Sequence, residues 1–184
     1  MQRMSTYIAL LRGINVGGNK IIKMQELKAM FTSLQYENVR TYIQSGNVVF
    51  ESEATSAPQL AGTISQSIQQ TFGFEVAVII RSLEELEAVI TGNPFPLTEP
   101  EAFKRLYVSF LAAEPAPEAL EKVRPYEDGP DKVRVIGKEL YTCYEVSVSE
   151  SPLFKVQLDK LLGVTITVRN WNTLNKVVAL ARKP

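Results

Sequence analysis

The chain contains no histidine, a single cysteine and a single tryptophan. Without imidazole, Ser-His-Asp and Cys-His catalysis and histidine-based metal sites are excluded. One cysteine cannot close an internal disulfide, so a reducing, cytoplasmic setting is the expectation. No apolar run approaches the roughly 18 residues that a membrane span needs. The opening MQRMSTYIALLRGIN has only a short apolar stretch that alternates like a strand, and no signal peptide is expected. The dinucleotide pattern GxGxxG is also absent.

What remains is ordinary globular material. The 184 residues, 45% apolar and 22% charged, suffice for one medium domain or two small ones. Such a chain buries roughly 70% of its unfolded surface and needs no staple. Net charge is zero but unevenly spread. Residues 1–50 carry six Lys/Arg against two acids, and residues 51–103 one Arg against eight Glu. Residues 104–150 hold seven basic and nine acidic groups, and residues 151–184 six against one. If the two positive ends meet, they form a basic patch on an acidic body. The alternative is that both are solvated helix faces.

Periodicity predicts a strand over 6–12, apolar on both faces, then a helix over 23–35. RTYIQSGNVVFES reads as a hairpin turning at Ser45-Gly46. A helix over 58–72 is closed by Gly73, and FEVAVIIRS is a strand. A connecting helix over 82–91 opens with the capping-box spacing Ser82–Glu85. The Pro-rich GNPFPLTEPE marks a boundary. The order then recurs: strand 105–113, helix 115–123, a hairpin around Gly137-Lys138, helix 153–163 capped by Gly163, and strand VTITVRN. A further helix, TLNKVVALARK, ends the chain. The expected fold is α+β, with two β-α-β-β-α-β, ferredoxin-like repeats and antiparallel sheets. Residues 1–92 form the first repeat with its linking helix, 93–103 the linker, and 104–184 the second repeat with the C-terminal helix.

Three polar motifs fall in the basic segments. RGINVGGNK (Arg12–Lys20) nearly matches the phosphate loop GxxxxGK[ST], but Asn19 displaces the lysine and no Ser or Thr follows. A looser anion site remains open, with Arg12, Asn15, Gly17, Gly18 and Lys20 supplying N–H groups and charge. The alternative is a plain turn at Gly17-Gly18. In QSGN, Ser45 and Asn47 either border a pocket or serve a hairpin without further role. In RNWNTLNK, alternation places Val164, Ile166 and Val168 on one face of the strand and Arg169 on the other. Asn172 or Thr173 can cap the last helix, whose N-terminus attracts anions. Asn170 and Trp171 complete the candidates; Trp171 can stack on a ring or pack inward. Cys143 is expected to be a buried structural thiol. Glu127, Asp128 and Asp131 read as a turn, and no metal or cofactor is expected.

RGINVGGNK, TYIQSGNVVF, RSLEEL…NPF, LYVSFL and TVRNWNTLNKVVAL follow one another in the order of a bacterial family, domain of unknown function 1697. The chain resembles that family over about residues 4 to 181. The resemblance implies two ferredoxin-like repeats and brings no catalytic residues. The chain departs from the family pattern at YEVSVSESPLF. There the resemblance leads one to expect a Gly-containing turn and Ser-Lys-Leu, whereas Ser151-Pro152-Leu153 stands here with Lys155 nearby. No role is carried over to that lysine.

Three functions compete. The first is a cytoplasmic binding protein for a phosphorylated or otherwise anionic, nucleotide-like ligand, in a cleft built from the first and last motifs. Nucleic acid is the weaker partner, because the chain is neutral and lacks an aromatic RNA-binding strand. The second is a transferase or lyase using Arg and Lys at the same cleft. The third is a non-catalytic interaction module. The sequence does not specify an oligomeric state.

Overall fold

The computed structural model describes residues 3–54 and 56–184. They divide into two compact units, one ending at Ala88 and joined by Lys176–Pro184, the other Val89–Asn175.

The first unit contains β1 (Ser5–Leu11), α1 (Met24–Ser33), β2 (Glu37–Tyr42), β3 (Asn47–Ser52), α2 (Ala57–Phe72) and β4 (Val78–Ser82). The strands form an antiparallel sheet in the order β2-β3-β1-β4. Tyr7, Ala9 and Leu11 pack with Leu27 and Phe31 of α1 and with Leu60, Ile64 and Ile68 of α2. Burying each large apolar side chain contributes roughly 1.5–3 kcal/mol. Ile8 and Leu10, on the reverse face, are equally buried, so β1 is apolar on both faces as expected. The Ser56 hydroxyl caps α2 by accepting from the Gln59 N–H, and Gly73 closes it in the left-handed region. FEVAVIIRS forms a strand only over Val78–Ser82.

Helix α3 (Leu83–Thr91) starts directly after β4 with a reciprocal cap. The Glu85 N–H donates to the Ser82 hydroxyl, and the Ser82 N–H donates to the Glu85 carboxylate, both at 3.1 Å.

The second unit repeats the order. A one-turn α4 (Pro100–Phe103) interrupts the Pro-rich linker and is followed by β5 (Leu106–Leu111), α5 (Pro117–Val123), β6 (Lys132–Ile136), β7 (Glu139–Cys143), α6 (Leu158–Leu162) and β8 (Ile166–Asn170). Its sheet order is β6-β7-β5-β8, again antiparallel. Leu111, Val123, Val133, Leu140, Leu162 and Ile166 form its core on the helix side. The fold is therefore α+β, with two ferredoxin-like sheets.

Two expectations need correction here. The helix predicted over 153–163 is broken into a 3-10 turn at Pro152–Lys155 and the short α6. Val156 between them is extended. The Ser151 hydroxyl bonds the Asp131 carboxylate and also accepts from the Leu153 N–H, which anchors the first turn separately. Cys143 is half-buried, because β7 ends there.

Helix α7 (Trp171–Arg182) follows β8 directly. Arg40 of β2 closes its far end, donating from Nη1 to the Leu180 and Lys183 carbonyls at 2.5 and 2.8 Å.

Gly46 provides a test of how tightly the β2–β3 turn is held. It has φ +93, and a Cβ there would lie 2.8 Å from the Leu11 Cβ and 3.0 Å from the Leu11 carbonyl oxygen. Gly46→Ala is expected to cost about 2 kcal/mol or more through clash and a left-handed backbone. Gly62→Ala, in open space on α2, is expected to add roughly 0.5–1 kcal/mol. Urea midpoints at constant slope measure both.

Candidate functional site

The first motif builds a miniature hairpin between β1 and α1. The Asn19 N–H donates to the Val16 carbonyl at 3.0 Å, and the Asn15 N–H donates to the Lys20 carbonyl at 3.1 Å. Gly17 and Gly18, at φ +59 and +76, form its tip. Two consecutive left-handed residues are what a tight hairpin turn of this hand requires. The glycines thus turn the chain inside the loop, ahead of the helix rather than at its start.

Asn15 is the clamp of this loop. Its Oδ1 accepts from the Ile22 N–H at 2.8 Å, while Nδ2 donates to the Ile22 carbonyl at 3.0 Å and the Gln44 carbonyl at 2.8 Å. Lys20 donates from Nζ to the Glu75 carbonyl at 2.7 Å. Arg12 and Gly13 are exposed, whereas Ile14 is buried.

The second motif meets the first. The Leu11 N–H donates to the Gly46 carbonyl at 2.8 Å, beside the Asn15–Gln44 bond. Asn47 is fully buried, and its Nδ2 donates to the Tyr42 carbonyl and the Ser45 hydroxyl at 3.2 and 3.1 Å. Ser45 itself is exposed.

The last motif lies in the second unit, apart from its final Lys176. Arg169 faces away from the helix-side core, as alternation predicts, but it is only 8% exposed. Its Nη1 donates to the Thr167 hydroxyl at 2.8 Å and the Val168 carbonyl at 2.9 Å. Burial pulls its pKa down to about 10, so it stays a cation at neutral pH. Val168, on the helix side of the sheet, is exposed. Asn170, rather than Asn172 or Thr173, caps α7: its Oδ1 accepts from the Thr173 N–H at 2.8 Å. The helix begins one residue after the strand ends, so the cap falls on the strand's last residue. The first unit shows the same device, with buried Arg81 donating to the Ile80 carbonyl at 3.1 Å and Ser82 capping α3.

Trp171 is half-buried and stacks on Phe103 with ring centroids 6.4 Å apart and planes 25° apart. The pair forms one side of a cavity of about 530 Å³. Pro100, Lys104, Asn172 and Asn175 complete its lining. Asn175 donates from Nδ2 to the Trp171 carbonyl at 2.8 Å, one helical turn back. Lys104 pairs with Glu101 at 2.8 Å on the surface, and this contact holds the Glu101 carboxyl below its ordinary pKa. Trp171 and Asn172 were candidates from the sequence; Phe103, Lys104 and Asn175 were not. Asn175 stands four residues after Trp171, a spacing that places both on one helix face. The linker residues carry no comparable signal.

Residues 4–141 match the family described as protein of unknown function (DUF1697). The chain belongs to that family. A conserved bacterial protein of Streptococcus pneumoniae has a similar structure, with a TM-score of 0.72 and 25% sequence identity over 98% of this chain and 100% of that one. No curated protein matches the chain. The family match spans the first two motifs and stops before the Trp171 side of the cavity.

Asn15→Ala removes three bonds at a loop base and is expected to cost roughly 2–3 kcal/mol. Lys20→Ala removes one exposed bond and is expected to cost under about 1 kcal/mol. Urea unfolding, together with faster amide exchange at Ile22 in the Asn15 variant, checks the ranking.

Proposed function

We propose that the protein binds a small anionic ligand carrying a planar ring, nucleotide-like in chemistry, at the Trp171 cavity. The observation that supports this reading is the stacked Phe103–Trp171 pair beside two side-chain amides in a cavity of about 530 Å³. Small-molecule sites occupy roughly 300–1,000 Å³, mostly apolar with a few polar groups. The aromatic pair offers ring surface, and Asn172 and Asn175 offer donors and acceptors. Lys104 supplies charge. Its exposed partner Glu101 contributes little, since such pairs are worth about 0–1 kcal/mol, so an incoming anion displaces it at small cost. The first turn of α7 lies at the cavity, and its dipole favours a negative group.

Catalysis has less support. The described lining of the cavity has one cation and two amides, and the carboxylate beside it, Glu101, is held by Lys104 with a lowered pKa, which makes it a weak general base. The first two motifs read as scaffolding, because Asn15 and Asn47 bond within the fold. A cytoplasmic setting is inferred from the single cysteine, which is a free thiol. The recurring Arg-then-cap device is taken as the trace of an internal duplication.

Trp171 is the chain's one tryptophan, so its fluorescence reads this cavity alone. Adenosine monophosphate is expected to quench it saturably, with a Kd of roughly micromolar to millimolar. Adenosine binds more weakly, and inorganic phosphate has no effect on emission. Phe103→Ala and Lys104→Ala each weaken binding about tenfold, a loss of about 1.4 kcal/mol. Unsaturable quenching with every ring-bearing anion tried at millimolar concentration would overturn the reading.

A further inference from the structure

A second cavity, of about 340 Å³, lies in the same unit at the end of β7. Phe95, Pro96 and Leu97 of the linker and Pro130 before β6 give it an apolar wall. Phe95 is buried, and its N–H is held by the Asn93 side chain at 3.1 Å. Arg105 and Lys132 bring two cations to the lining, and Cys143 and Tyr144 complete that side. Glu145, exposed at the rim, is the one acid in the lining.

The two cations stand out because neither is used in an ion pair among the described residues. Arg105 donates from Nε to the Tyr144 carbonyl at 2.9 Å, which orients the guanidinium and leaves its terminal nitrogens for another acceptor. No hydrogen bond or ion pair occupies the Lys132 ammonium among the described residues. Two of the neighbouring acids are committed elsewhere, which leaves Glu145 at the rim. Asp131 accepts from the Ser151 hydroxyl and from the Glu145 N–H, and Glu101 is bonded to Lys104. A planar fork matches a carboxylate bidentately, and the half-buried setting of Arg105 strengthens such a contact.

We infer that this cavity is a binding site for a small monocarboxylate with an aromatic or branched apolar tail. The carboxylate lies between Arg105 and Lys132, and the tail lies on Phe95, Leu97 and Pro130. The volume is at the low end for ligand sites, which limits the tail to about one ring. Cys143 takes no part in covalent chemistry. Burial pushes its thiol up, and the pull of Arg105 and Lys132 in the other direction is the smaller effect. At neutral pH it is a protonated wall group. The site is distinct from the Trp171 cavity, and the inference does not rest on the function proposed for that cavity.

The single cysteine makes the test direct. Alkylation of the folded protein by neutral iodoacetamide, followed by mass spectrometry, reads Cys143 alone. Millimolar 3-phenylpropionate is expected to slow alkylation about fivefold, as occupancy of one site by excess ligand would. The neutral 3-phenylpropanamide does not slow it, and Trp171 emission stays constant throughout. Arg105→Gln and Lys132→Gln each raise the acid concentration needed for protection about tenfold. Using both guards against a folding defect in one. Four results would overturn the assignment: no protection by the acid, equal protection by acid and amide, protection unchanged in both variants, or a parallel change in Trp171 emission.

Discussion

An inner strand of each sheet, β1 in one and β5 in the other, is largely buried on both faces, and much of the remaining structure follows from that. Tyr7, Ala9 and Leu11 face the helices of the first unit, and Ile8 and Leu10 on the reverse face are buried as deeply. In β5, Leu111 faces the helix-side core, while Leu106, Val108 and Phe110 are buried on the reverse. A strand buried on both faces keeps bulk water from the residues beside it. A buried polar residue beside such a strand must then find partners within the protein. Arg81 and Arg169 stand opposite Ile8 and Val108, each in its own sheet, and each donates to the carbonyl before it. The depressed pKa of Arg169 records the desolvation this entails.

The loop after β1 is largely exposed, and its polar residues shape the turn that carries the chain to α1. Asn15, Gly17, Gly18 and Gly46 all have positive φ, which Gly tolerates freely and Asn more readily than most residues. The Asn15 side chain then closes the loop base by mimicking a strand partner. Lys20, Gln35, Asn38 and Ile43 also have positive φ, and Ile43 is the β-branched one among them. It holds φ +49 with a β-branched side chain that is 50% exposed, so neither its type nor its packing favours the conformation. The neighbouring Gly46–Leu11 and Asn47–Tyr42 bonds impose it.

Features set by nearby residues were legible in the sequence. Helical and strand periodicity located the β-α-β-β-α-β order twice, and Ser82–Glu85, Gly73 and Gly163 marked helix ends that the structure keeps. Features set by distant partners were not. The break at Val156 follows an anchor from Ser151 to Asp131. The Trp171 cavity depends on a linker phenylalanine reaching the start of α7, a meeting that no local pattern encodes. Cys143 looked internal because it alternates within a strand, but that strand ends at the cysteine, beside a cavity. Asn-rich composition was also ambiguous in kind. It marks a ligand site and a left-handed turn equally well, and only the hydrogen bonds separate the two.

The resolved pKa shifts leave each of their groups in its ordinary protonation state near neutral pH. General acid–base catalysis needs a group whose pKa lies near the working pH. Here burial raises Tyr36, Tyr144 and Cys143 away from neutrality and pushes Tyr141 up to about 12. Lys104 moves Glu101 the other way, further below neutrality. Arg169 shifts towards neutrality but stops at about 10, still fully charged near pH 7. Across the described residues, then, the resolved shifts hold protonation states fixed around neutral pH. Fixed charges and amides recognise a ligand without exchanging protons with it. The Trp171 cavity offers ring surface and amides, and the Arg105 cavity offers cations and an apolar wall. The two proposed readings, a ring-bearing anion at one cavity and a monocarboxylate at the other, therefore both rest on fixed charges, amides and apolar surface, with no proton exchange.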